Sequence, residues 1–146
     1  MANIRSPQKG RQIPDEDHIA RYVRPRLILT DPTTGAVTVS PDAFKPRTDE
    51  TDLSANWLEH FSGSQEKQVS SVRKEMRAGG FNVVPKSAFV VGNVGEIKTA
   101  CTNRHPKRTV RIVSSPTEKI PSHVSVKTIP EEDINLLCNC SGVGKV

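Results

Sequence analysis

The spacing of apolar residues along this chain changes at Gly79-Gly80, and that change limits the folds open to it. Before it, apolar residues recur at helical intervals: Leu53, Trp57, Leu58 and Phe61 in one stretch, Val69, Val72 and Met76 in the next. After it come short β-branched runs over 81–84, 88–91, 97–100, 109–113 and 123–127, separated by Gly or Pro. A helical part followed by a strand-rich part predicts an α+β fold with a small, mostly antiparallel sheet and two to four short helices.

Local signals refine this expectation. Asp52 or Ser54 caps a helix that Gly63 stops, and a second helix runs from Ser64 to Ala78. Pro14 with Asp15, Glu16 and Asp17 predicts another helix over 14–24, because Pro suits a first turn and carboxylates complement its dipole. The same logic at Pro130, Glu131, Glu132 and Asp133 predicts one over 130–138. Residues 26–29 and 36–39 flank an Asp31-Pro32 and Gly35 turn and read as a hairpin, and Gly92-Asn93-Val94-Gly95 reads as a turn between two strands.

A length of 146 residues suits a single core, expected over 14–140. A hydrophobic share of 34% and an aromatic share of 4% leave part of the chain outside that core. The expected absentees are a mobile, disordered N-terminal arm over 1–13, with Arg5, Lys9 and Arg11 among small polar residues, and a frayed tail over 141–146. No apolar run reaches the roughly 18 residues that cross a bilayer, and Met1–Gly10 lacks the apolar centre of a secretion signal. Three cysteines, an odd number, suit free thiols in a reducing compartment, so a cytoplasmic location is expected.

Charge is divided along the chain. Residues 31–66 hold seven carboxylates against two basic side chains, a net of −5. Residues 67–86 reverse this to a net of +4, and residues 97–119 reach +5. Such segregation suits contact with nucleic acid, with an acidic protein, or with a second copy of the chain.

Several constellations carry possible chemistry. On the expected helix His18 and Arg21 share a face, an imidazole beside a guanidinium suited to phosphodiester chemistry, although such pairs are commoner as structure than as catalysts. His123 in Pro121-Ser122-His123-Val124-Ser125 heads a strand as half of a two-histidine phosphoesterase signature, whose second copy the sequence lacks. A looser acid-base pair would set His18 against His123, with Arg21 or Arg111 on a phosphate. Arg104, Lys107, Arg108 and Arg111 form a basic loop able to touch phosphates, while Trp57 and Phe61 read as core rather than as stacking groups. Cys101, His105, Cys138 and Cys140 could close a zinc tetrahedron, but their spacing matches no common finger; free thiols and no cofactor are expected.

Asp17-His18-x-x-Arg21-Tyr22, then Phe44-x-x-Arg47, Leu53-Ser54-x-x-Trp57-Leu58-Glu59 and Pro121-Ser122-His123 resemble a set of short bacterial proteins that carry these elements in this order. The resemblance spans about residues 13–126. It implies a shared fold and a bacterial cytosolic origin, brings no activity with it, and marks His18, Arg21, Arg47, Ser54 and His123 as the polar positions to watch. Three functions follow as expectations: a non-enzymatic binding or accessory protein that meets nucleic acid or an acidic partner; a small histidine enzyme acting on a phosphate-containing substrate; and a self-associating scaffold component.

Overall fold

The computed structural model describes residues 9–40, 42, 53–103, 111–127 and 141–144, with the side chains of 101–103 and 141–144 left aside. The elements are β1 (His18–Val23), β2 (Ile28–Thr30), β3 (Val37–Val39), β4 (Leu53–Trp57), α1 (Gln65–Ala78), β5 (Ala88–Asn93), α2 (Val94–Asn103), β6 (Arg111–Ser114), β7 (His123–Lys127) and β8 (Ser141–Gly144). Six strands make one sheet in the order β6-β7-β4-β1-β5-β8, antiparallel at every pairing. The fold is α+β with an antiparallel sheet, as its sequence leads one to expect.

Two cores lie on the two faces of this sheet. On one, Ile19, Val23, Leu53, Ala55, Trp57, Val90, Ile112, Val124 and Val126 pack with Val94 and Ile97 of α2. On the other, Ala20, Phe89 and Val91 lie against Leu58 and against Val69, Val72 and Met76 of α1. Burial on both faces explains the first correction. Residues 18–23 form the central strand β1, not a helix over 14–24, because Ile19 and Val23 serve one core while Ala20 serves the other.

The residues that resemble a helix start serve α2 instead. Asp15 and Asp17 offer their backbone carbonyls to Gly95 N and Val94 N, and the Asp17 carboxylate accepts the Trp57 indole N–H at 2.9 Å. Asn93 Oδ1 accepts from Glu96 N at 2.9 Å, the bond of a helix N-cap. Residues 94–103 are therefore helical, and the expected turn over 92–95 and strand over 97–100 do not form.

A second correction concerns β4. Leu53, Ala55 and Trp57 alternate toward the α2-side core, so the helix expected from Ser54 is a strand followed by a 3-10 turn at Leu58–His60. Residues 81–84 form no strand, and arginines of α1 hold the carbonyls of Val83 and Val84. Pieces of the expected disordered ends are paired: Gly10 N donates to Ser114 O, Ile13 N to Ile112 O, Ile13 is buried, and 141–144 pair with β5. The expected helix over 130–138 and residues 1–8 lie outside the described residues.

The hairpin and α1 match the sequence reading. β2 and β3 pair across a turn in which Asp31 Oδ1 accepts from Thr33 N and Thr34 N. Ser64 Oγ accepts from Lys67 N at the start of α1, and Gly79-Gly80 end it. A buried polar chain ties α1 to the sheet: Asn56 Nδ2 donates to Ser122 Oγ at 3.0 Å, and Ser122 Oγ donates to Glu75 Oε1 at 2.7 Å. Ser122→Ala takes one hydrogen bond from Asn56 and one from Glu75 at a buried position, while Glu75 keeps the Ser122 backbone N–H. It is expected to cost about 1–3 kcal/mol of unfolding free energy in a denaturant titration, and a loss below ~0.5 kcal/mol would mean that this chain does not anchor the helix.

Candidate functional site

α1 presents a positively charged face. At about 100° per residue, Val69, Val72 and Met76 turn to the sheet, while Lys67, Ser71, Lys74 and Ala78 run along the opposite side with Ser70 and Arg77 at its margin. Lys67, Lys74 and Arg77 are exposed. Two turns separate Lys67 from Lys74, about 10 Å along the axis.

Two neighbouring segments extend the face at its C-terminal end. A Cβ placed on Gly79 would lie 3.3 Å from Lys119 Cβ, so the exposed Lys119 abuts the end of α1. The loop that follows α1 carries the exposed Lys86. None of Lys67, Lys74, Arg77, Lys86 and Lys119 has a carboxylate partner among the described residues. Glu75, the one acid in the middle of the helix, is turned inward to Ser122.

Under this face sits a buried guanidinium. Arg73 is 7% exposed and donates to Val84 O at 3.2 Å and to Ser87 Oγ at 3.2 Å, with its charge 5.7 Å above the Phe89 ring. Burial, and then the nearby Arg77 charge, hold its pKa below the ordinary arginine value. Arg77 spans the same loop, donating from Nε and Nη2 to Val83 O. Both arginines thus fix the loop after α1 through its carbonyls.

Helix α1 ends in a tight cap. Gly80 N donates to Arg77 O and Phe81 N to Met76 O, with Gly80 at φ 91°, which is a Schellman motif. In that motif the residue at the position of Phe81 commonly packs back on the helix. Here Phe81 is 53% exposed.

Among the described residues, His18, Arg21 and His123 have different partners. On a strand His18 and Arg21 point to opposite faces, so the shared helix face expected for them is corrected. Arg21 is buried and donates to Ser54 O. Ser54 is half-buried and opposite Ser125. His18 instead meets Glu59: its Nδ1 lies 2.7 Å from Oε2 while its backbone N donates to Oε1 at 2.7 Å. His123 sits two strands away, about 10 Å across the sheet, with Nδ1 2.9 Å from Ser115 O on the β6 side.

Arg111 is exposed on β6 opposite Lys127. Arg47, Arg104, Lys107 and Arg108 lie outside the described residues, as do His105, Cys138 and Cys140 of the zinc alternative. Among the described residues no group of three or more His, Cys, Asp or Glu side chains is placed to hold a metal ion, and no helix is long and apolar enough to cross a membrane. Sequence reasoning passed over Glu59 as the partner of His18, although its place in Trp57-Leu58-Glu59 was visible, and took Phe81 for a strand residue. No protein-family model, curated protein or solved structure matches this chain.

Proposed function

We propose that this protein is a non-enzymatic nucleic-acid-binding or accessory domain, acting in a bacterial cytoplasm, whose contact surface is the solvent side of α1. The observation that carries this reading is the run of exposed cations, Lys67, Lys74 and Arg77, continued by Lys86 and Lys119 and without carboxylate partners among the described residues. Basic side chains that serve a solvated surface are usually interleaved with acids; here Glu75 is engaged below the surface, and exposed acids stand at the margins, Glu66 at the start of α1 and Glu118 beside Lys119. Phosphates repeat along a strand and meet cations and hydroxyls alike, and Ser70 and Ser71 lie among these lysines.

The histidine-enzyme reading would require His18, Arg21 and His123 to serve one substrate, and their side chains engage Glu59, Ser54 and Ser115 in separate places. The test of the binding reading is a titration of labelled single-stranded and duplex oligonucleotides across salt concentrations. Each phosphate engaged adds about −0.7 to the log–log slope for a single strand and about −0.9 for a duplex, so four or five cations give a slope of roughly −3 to −4.5. No binding at low salt removes the nucleic-acid reading, and an acidic protein partner would then be the one to seek.

A further inference from the structure

We infer that Phe81 makes the basic face selective for single-stranded nucleic acid, by stacking on an unpaired base. The inference rests on the function proposed above and adds what that surface takes. Its basis is the coincidence of a large exposed ring, a rigid backbone beneath it, and surrounding positive charge.

Exposure alone would carry little, since single apolar residues are common on protein surfaces. Phe81 differs in how its backbone is held. Its N–H is bonded to Met76 O at 3.0 Å in the helix cap, and its carbonyl accepts from Val83 N at 3.1 Å. Gly80 at φ 91° sets the direction in which the chain leaves the helix. The backbone that carries the ring is thus fixed on both sides, which lowers the entropy cost of using it in binding.

The packing around it explains why the ring stays outside. Met76, the residue against which a Schellman motif usually packs its last apolar side chain, is itself buried in the core under α1, and Val83 rather than Phe81 completes that core. The ring is left 53% exposed while Val83, two residues on, is 6% exposed.

Its neighbours are cations. Arg77 lies in the last turn of α1, and its guanidinium is tied to Val83 O just beyond Phe81. Lys119 abuts Gly79, and Lys86 follows in the same loop. An aromatic face beside phosphate-binding cations is the arrangement that holds single strands, because every base offers a ring to stack on while a duplex hides its bases from a side chain at the backbone.

The test is fluorescence anisotropy at low salt with three probes: a mixed-sequence single-stranded oligonucleotide, the duplex of the same sequence, and inorganic polyphosphate as competitor. The wild type is expected to prefer the single strand. Phe81→Ala should weaken single-strand binding about 5- to 100-fold, with duplex binding and melting temperature unchanged. Phe81→Trp should restore the affinity and add an indole signal, beyond that of Trp57, quenched by the oligonucleotide and not by polyphosphate. If Phe81→Ala binds both strands as the wild type does, the stacking role is overturned while the basic-face reading stands. If neither strand binds the wild type, that reading falls and the inference with it.

Discussion

Trp57→Ala is expected to lower the unfolding free energy by about 3–5 kcal/mol, a large share of the roughly 5–15 kcal/mol that holds a domain of this size together. Trp57 is 1% exposed, pairs with Ile19 of the central strand and fills the core between the sheet and α2. Removing the indole leaves a cavity in a core made mostly of β-branched residues, which have little freedom to collapse into it. It also strips the Asp17 carboxylate, 2% exposed, of a 2.9 Å donor. Trp57→Phe separates the two effects, keeping most of the volume and losing the hydrogen bond, and is expected to cost about 1.5–3 kcal/mol. Denaturant titrations of both variants decide the matter: equal costs would mean that the bond to Asp17 outweighs packing.

The second large effect concerns binding. Lys67→Glu combined with Lys74→Glu is expected to weaken nucleic-acid binding about 10- to 100-fold near ~0.1 M salt and to make the salt slope shallower by about 1.4 on a single strand. Neither ammonium has a carboxylate partner among the described residues, although the Lys67 stem lies against Gly63, so the melting temperature should stay within a few degrees of the wild type. Reversing Arg111 and Lys127 at the other end of the sheet is the matched comparison. A larger loss from that pair than from the α1 pair would move the contact surface to β6 and β7.

What could be read from the sequence was the part decided locally. Ser64 as a cap, Gly79-Gly80 as a stop and the stripe of Val69, Val72 and Met76 define α1 within fifteen residues or so, and Asp31 with Gly35 defines the hairpin within six. β1 and β4 were hidden because their character comes from partners far along the chain. A central strand buried on both faces loses the alternation that marks a strand, and Leu53, Trp57 and Leu58 happen also to fit a helical stripe. α2 was hidden for a different reason. Ile97 and Thr99 favour strands, and only the cap at Asn93 and the carbonyls of Asp15 and Asp17 turn the segment into a helix. The basic block over 67–86 was legible as charge, but its segregation to one side needed the helix. The exposure of Phe81 needed the knowledge that Val83 takes the place in the core.

The position of β1 in the sheet also bears on how the protein is made. Of the described strands β1 is synthesised first, and its two neighbours, β4 and β5, come later, with Ala20 opposite Asn56 on one side and Val91 on the other. At about 5–20 residues per second, β5 follows β1 from the ribosome by some seconds. Until β4 emerges the segment Ile19 to Val23, which carries apolar side chains on both sides, has neither neighbour, and until β5 emerges it has one. The nascent chain therefore spends its early life with its future centre uncovered, and closure of the sheet is a late event that joins segments about seventy residues apart.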